Sequence, residues 1–249
     1  MKRYTLLLPI VGALVAIASD AGAQTYSWRN IDYVSLNGLY QSTPINFTTD
    51  AKMDLYQETG DVRTGHRIEP GPVYEVTAGG KVRGHFGMSY ALSYRKQTEV
   101  GEVTANVPHP FYYNQSRLVA GDTRLKHQDL ALHVAAKWLV PVSDAIQVSL
   151  FGGPTFFRVT QDMVSNVEVR EAFPYDQAEY AGASVSTEHA SRLGFNAGAD
   201  AAYFFTQSIG VGGLVRYSQA SVDMPLPDGS TASVKAGGVQ AGAGLRLRF

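Results

Sequence analysis

The last residues of the chain alternate strictly between apolar and polar side chains. From 237 to 249 the odd positions hold Gly, Val, Ala, Leu or Phe, and the even positions hold Gly, Gln or Arg. Successive side chains of a β-strand point to opposite faces, so the pattern predicts a strand with one face in an apolar medium and one in a polar medium. A helix would spread the same arginines and leucines around much of its axis.

Seven earlier segments show the same period of two. Their apolar positions and those of the C-terminal segment number 45, and none is charged. Because 17% of the chain is charged, 45 arbitrary positions would hold about eight charges. We therefore expect eight strands, near residues 34–40, 74–82, 86–94, 130–140, 146–156, 193–205, 209–217 and 237–249.

Three features indicate that the apolar face meets lipid rather than a protein core. This face lacks Ser, Thr, Asn and Gln, which a core tolerates. Short links near 83–84, 141–144 and 207 alternate with long ones at 43–70, 97–127 and 161–190, as in outer-membrane barrels. Aromatic residues also gather near both strand ends, as interfacial girdles do.

The fold class that follows is all-β: an eight-stranded antiparallel up-and-down transmembrane β-barrel. Short and long links that alternate over eight strands place both termini on the periplasmic side. Ten strands remain an alternative, because residues 47–56 or 99–107 could form another hairpin. Those stretches are explained more simply as strand extensions beyond the membrane.

The first residues have the features of a secretory signal peptide. Lys2 and Arg3 precede an apolar run at 6–18, and Ala21-Gly22-Ala23 supplies small residues for cleavage. The run is too short for a spanning helix, which needs roughly 20 residues. We predict a signal peptide at 1–23 and a barrel at 24–249. The mature chain would carry 19 basic and 21 acidic residues. It therefore lacks the excess of positive charge that is typical of proteins that bind nucleic acid.

The terminal sequence GAGLRLRF carries a specific resemblance. It is similar to the signal by which the barrel-assembly machinery recognises its clients, with Leu245, Leu247 and the final Phe249 as its apolar residues. The whole mature chain resembles the small bacterial outer-membrane β-barrel domain family, of the OmpA, OmpX and OmpW type. The resemblance implies a location in the cell outer membrane. It also implies contact with lipid and lipopolysaccharide, with the assembly machinery and with periplasmic chaperones.

Charged residues occupy the opposite face of the predicted strands. An eight-stranded barrel has a lumen just wide enough for side chains, and an unpaired buried charge is costly. We therefore expect the three acids to form ion pairs with the five bases, either as a plug that fixes the barrel register or as a gate in a narrow solute pathway. The predicted lumen network is Glu75, Lys81, Arg95, Asp129, Lys137, Asp200, Arg216 and Arg246.

Two other groups of residues suggest chemistry or binding at the outer end of the barrel. Glu188, His189 and Ser191 lie at the outer end of a predicted strand and resemble the short pattern of outer-membrane lipid A deacylases. His189 and Ser191 share a face, but Glu188 points to the other one. The aromatic run at 111–113 predicts either an adhesive loop or a cap on the barrel mouth. The six histidines are scattered and Cys is absent, so the sequence predicts no metal site and no cofactor.

These patterns favour an outer-membrane protein with a structural, surface-interaction or narrow solute-passage role and no catalysis. Uptake of hydrophobic solutes is the variant that the OmpW resemblance implies. The alternative from another class is a lipid A acyl-ester hydrolase with its site at the extracellular rim.

Overall fold

The computed structural model describes residues 32–143 and 145–249. Its strands are β1 (Tyr33–Gln41), β2 (Ile45–Leu55), β3 (Glu58–Ile68), β4 (Gly71–Arg83), β5 (Phe86–Pro108), β6 (Ser116–Pro141), β7 (Ile146–Glu171), β8 (Ala178–Phe204), β9 (Ile209–Pro225) and β10 (Thr231–Arg248). Within these residues no helix has the length and apolar character to cross a membrane. The predicted signal peptide, residues 1–23, lies outside the described residues.

Eight strands close into a ring in the order β5-β4-β1-β10-β9-β8-β7-β6, with β6 pairing back onto β5. All ring pairings are antiparallel, and β1 meets β10 with Tyr33 opposite Arg248. The first and last strands of the described residues thus lie side by side, and the ring has no free edge. The eight-stranded barrel prediction is confirmed.

The remaining two strands form a hairpin that stands above the ring. β2 pairs only with β3, and residues 61–65 of β3 pair with 102–106 of β5. Of the two stretches considered for an extra hairpin, 47–56 therefore contributes to one and 99–107 is an extension of β5. The hairpin and the strand portions at 96–128, 160–190 and 220–236 together form what we call the extension.

The outward and inward faces exchange their polarity along each long strand, as β5 illustrates. In the ring, outward Tyr90 is 51% exposed while inward Ser93 is buried. In the extension, inward Val103 is buried and outward Glu102 is exposed. The strand keeps its alternation throughout, so the surrounding medium must change from lipid to water between these two levels.

Two apolar clusters fill the inside of the extension. One joins the β9–β10 hairpin to the base of the β2–β3 hairpin and to β7, and contains Ile68, Met163, Met224 and Val234. The other packs β2, β3, β5 and β6 against β7, and contains Val62, Val107, Leu125 and Val167. The hydrophobic effect stabilises this arrangement, and the clusters cover the mouth of the ring.

Two glycines allow β10 to leave β1 at the top of the ring. Gly237 and Gly238 have φ values of 92° and 140°, a region that side chains with a Cβ rarely adopt. A Cβ on Gly237 would lie 2.3 Å from the Ser218 carbonyl oxygen. The β1–β10 pairing ends here at Gln41 and Gln240, and the Val239 amide donates instead to the Thr43 hydroxyl, at 3.0 Å.

Candidate functional site

Ion pairs cross the lumen of the ring. Glu75 and Arg216 lie 2.6 Å apart, Asp200 and Arg246 lie 2.6 Å apart, and all four side chains are buried or nearly so. At the top of the ring Arg95 lies 3.6 Å from Asp129. Each acid of the predicted lumen network thus has a base of the same set as its partner.

Amide side chains join these pairs into one chain of hydrogen bonds. Arg246 donates to the side-chain oxygen of Asn37, and the side-chain NH2 of Asn37 donates to Glu75 at 3.0 Å. Arg216 donates to Gln240 at 2.6 Å, and Gln240 donates to Gln41 at 3.1 Å. Every charge in this chain therefore has a fixed polar partner, which lowers the cost of burying it.

The two lysines of the predicted lumen network behave differently. The Lys137 ammonium is buried, donates to the Tyr33 hydroxyl and lies 4.6 Å from the centre of that ring. A cation–π contact therefore stabilises this ammonium in place of an ion pair with a carboxylate. Lys81 is exposed near the short-turn end and lies outside the buried group.

The lumen is filled by these side chains. Its internal cavity measures about 20 Å³ and is lined by residues that include Asn37, Glu75, Lys137 and Arg216. A volume of this size holds about one water molecule. The side chains of the described residues therefore leave little free space at this level of the ring.

A second buried polar layer lies where the ring meets the extension. His66 is hydrogen-bonded to Glu99 at 2.9 Å, and the Gln161 amide donates to the same carboxylate at 2.7 Å. The His127 ring joins the side-chain oxygen of Gln161, at 2.7 Å, to the Asp129 carboxylate, at 2.9 Å. The residues come from four strands, and only Asp129 belongs to the predicted lumen network. Sequence reasoning missed His66, Glu99, His127 and Gln161, because the contacts among β3, β5, β6 and β7 depend on the fold.

His127 favours the protonated state. Burial lowers its pKa, but the charge of Asp129 and the hydrogen bonds to Asp129 and Gln161 outweigh burial, so the pKa is raised above its ordinary value. Both ring nitrogens face acceptor oxygens, and only the imidazolium form can donate to both. Arg95 opposes this effect by its positive charge.

The loops farthest from the ring carry an exposed aromatic surface. Phe173 is 87% exposed, Tyr113 is 76% exposed and Phe111 is 71% exposed. The Phe111 and Tyr175 rings meet edge to face at 5.3 Å. We call this the tip surface, and its residues are Tyr56, Phe111, Tyr112, Tyr113, Phe173 and Tyr175.

A buried ion pair holds the tip loops together. Arg117 contacts Glu171 and donates to the carbonyl oxygens of Pro108, at 2.7 Å, and Tyr175, at 3.0 Å. Glu171 also accepts a hydrogen bond from Tyr56 at 2.6 Å, and this bond raises the pKa of the Tyr56 hydroxyl. The aromatic run at 111–113 therefore faces solvent from an anchored loop, and apolar clusters below it close the mouth.

The residues of the hydrolase alternative do not form a relay. His189 is hydrogen-bonded to Thr160 at 2.9 Å, and Glu188 accepts from Ser186 at 3.0 Å. Ser191 lies opposite Arg158 in the ladder. In the part of the chain that the structure describes, no hydrogen bond joins Glu188, His189 and Ser191 to one another, and no three His, Cys, Asp or Glu side chains are grouped for a metal ion.

The three residues of the predicted assembly signal all lie on the outward face of the ring. Leu245 is 55% exposed, Leu247 is 48% exposed and Phe249 is 36% exposed. Their side chains are therefore part of the apolar belt. Recognition by the assembly machinery stays a prediction.

Comparisons with known proteins give one family match. The family model "Outer membrane protein beta-barrel domain" matches residues 10–246. No curated protein matches the chain.

Several solved structures are similar in fold at low identity. OprG from Pseudomonas aeruginosa shares 8% identity over 88% of this chain and 96% of its own, with a TM-score of 0.46. Neisserial surface protein A shares 14% identity over 88% of this chain and 97% of its own, with a TM-score of 0.41. Ail of Yersinia pestis shares 8% identity over 87% of this chain and 99% of its own, with a TM-score of 0.38.

Proposed function

The chain belongs to the Outer membrane protein beta-barrel domain family, and we propose that it is a non-catalytic surface-interaction protein of the bacterial outer membrane. In this role the ring is an anchor, and the extension carries a binding surface away from the lipid. Both termini face the periplasm in this arrangement, and the long loops face outward.

The filled lumen supports an anchoring role over solute passage. The Glu75–Arg216 and Asp200–Arg246 pairs occupy the ring, and the apolar clusters of the extension cover it from above. A solute would have to displace buried ion pairs and buried apolar side chains together. Both displacements cost free energy, because they leave buried charges unpaired and expose apolar surface to water.

The length and rigidity of the extension support the role of a spacer. β7 and β8 continue as paired strands for about 12 residues beyond the expected lipid level, which corresponds to roughly 30–40 Å along the strands. Their inner face is packed in an apolar cluster. The tip is therefore presented at a defined height rather than on a loose loop.

The exposure of the tip surface is the observation that carries the proposal. Phe111 and Phe173 are each more than 70% exposed and both contact the Tyr175 ring, so this group leaves much apolar area in water. Aromatic residues dominate the energetics of protein interfaces, and grouped exposed apolar residues mark interaction sites. We therefore assign partner binding to the tip.

The test is adhesion of cells that display the protein. Cells expressing the native chain are compared with cells expressing Phe111→Ser/Tyr113→Ser/Phe173→Ser, on surfaces coated with collagen, fibronectin or laminin, on glycan arrays and in self-aggregation assays. We expect the native chain to raise adhesion in at least one of these assays and the triple variant to lose that gain.

The matched control is Val100→Ser, which removes an apolar side chain that is 58% exposed on the wall of the extension, away from the tip. It should leave adhesion unchanged. Equal adhesion by the triple variant and the native chain would refute the proposal, provided that gel mobility before and after boiling shows both to be folded barrels.

The absence of catalysis is tested separately. Lipid A from cells with and without the protein is compared by mass spectrometry. We expect identical acyl composition. A shift in acyl composition that Ser191→Ala abolishes would establish the hydrolase alternative instead.

A further inference from the structure

Cations are grouped on the outer wall directly beyond the aromatic belt of the ring. They lie on three neighbouring strands, β5, β6 and β7, and all are exposed. We call them the headgroup patch, and its residues are Lys96, Arg124, Lys126 and Arg158.

The depth of this patch follows from its place in the strands. Lys96 lies two residues beyond Tyr94 on the same face, and Arg158 lies two residues beyond Phe156. Tyr94 and Arg158 both flank Leu130 in the sheet. Two residues of a strand span about 6.6 Å, and an aromatic girdle marks the edge of the hydrocarbon layer. The patch therefore begins at the level of lipid headgroups.

The four cations have no acidic partner. On other parts of the outer wall Arg63 pairs with Asp50 at 2.7 Å, and Arg192 pairs with Asp223 at 3.6 Å. Among residues 32–143 and 145–249, no member of the headgroup patch forms an ion pair. The positive charge of the patch is thus left for an external anion.

Three acids border the patch: Asp162 on β7, and the cross-strand pair Glu102 and Asp122, two residues beyond Arg124 on β6. The Asp162 carboxylate accepts from the Thr187 hydroxyl at 2.7 Å and from the Lys126 backbone amide at 3.0 Å. It faces these donors rather than forming an ion pair with a patch cation. The other outward residues of β5 and β6 between the levels of Tyr94 and Arg124 are uncharged, and Glu102 and Asp122 lie one step farther from the lipid. The positive charge of the patch is therefore concentrated on the side nearest the aromatic belt.

We propose that the headgroup patch binds the phosphate groups of a lipid headgroup in the outer leaflet. Arg158 can engage a phosphate with two parallel N–H donors, while Lys96 and Lys126 act as point charges. Lys96 and Lys126 lie diagonally across the β5–β6 ladder, at about 7–8 Å. That spacing suits one headgroup with more than one phosphate. Tyr94 and Phe156 flank the acyl chains below it.

The test uses the full mature barrel in detergent, with bisphosphorylated lipid A as the probe and native mass spectrometry as the readout. The variant Lys96→Gln/Arg158→Gln should bind about 25-fold more weakly, since each basic residue near an anionic lipid contributes about fivefold. Dephosphorylated lipid A should bind the native chain as weakly as the variant does. Inorganic phosphate at equal concentration should not compete.

The matched control is Lys52→Gln/Arg170→Gln, which removes one exposed lysine and one exposed arginine from elsewhere on the extension. It should change affinity by less than about twofold, since charges beyond a Debye length are screened. Equal affinity of the native chain and Lys96→Gln/Arg158→Gln would overturn the proposal. So would equal binding of dephosphorylated lipid A, while effective competition by inorganic phosphate would identify a free-anion site instead.

Discussion

Glu75 on β4 and Arg216 on β9 form a 2.6 Å ion pair across the lumen, although two other strands separate β4 from β9 in the ring. Both side chains are almost fully buried. The ion pair therefore links two walls of the ring. Its stabilising effect requires both charges, because either charge alone would be buried in a medium of low polarity.

Removing one member of this pair should destabilise the barrel strongly. Glu75→Ala leaves Arg216 buried without its acid, and we expect a loss of about 3–5 kcal/mol in the free energy of unfolding. The measurement is urea unfolding of the barrel in lipid vesicles. The double variant Glu75→Leu/Arg216→Leu should recover most of the loss, because it buries no charge. A double variant as unstable as Glu75→Ala would show that the pair is not the cause.

The filled lumen predicts an absence of large conductance. The native barrel in planar bilayers should show no stable nanosiemens steps, because the internal cavity measures only about 20 Å³. Glu75→Ser/Arg216→Ser should raise small-ion leakage by emptying the middle of the lumen. Large stable channels from the native protein would contradict the closed ring.

The outward apolar face predicts a contrast between two leucines of similar exposure. Leu150 is 56% exposed near the middle of the belt, and Leu118 is 72% exposed on the extension. Leu150→Lys should cost about 2–4 kcal/mol, because it places a charge near the bilayer midplane. Leu118→Lys lies in water and should change stability by less than about 0.5 kcal/mol. Unfolding in vesicles measures both, and equal costs would contradict the assigned lipid level.

The polar layer around His127 predicts that its contribution falls as the pH rises. A group whose folded-state pKa is raised stabilises the fold fully below its ordinary value of 6.5, and this contribution is lost as the pH rises through the folded-state pKa. The free energy of unfolding lost in His127→Gln should therefore be larger at pH 5.5 than at pH 9. Hydrogen exchange of backbone amides in the extension can measure the same pH dependence of stability. A loss that grows with pH would contradict the assigned charge state.

The positions of the eight ring strands and their faces could be predicted from the sequence, whereas the preferred interpretation of residues 47–56 as a strand extension was wrong, because they form the β2–β3 hairpin. A period of two places Leu150 outward and Arg216 inward, whatever the partners of their strands are, because alternation is a property of the extended backbone. The sequence also predicted that the inward acids would pair with inward bases, because buried charges require partners of opposite sign. The alternation continues through both ring and extension, so it does not mark the boundary between them.

Tertiary structure alone decided which residues meet. The partner of Glu75 depends on the register and closure of the ring, and the contact between Lys137 and Tyr33 on another strand depends on the same geometry. His66 approaches Glu99 only because β2 and β3 fold as a hairpin over β5. Sequence alternation is local, whereas these contacts join residues that only the closed sheet brings within hydrogen-bonding distance. The sequence by itself therefore determined which face each side chain occupies, and closure of the barrel determined its partner.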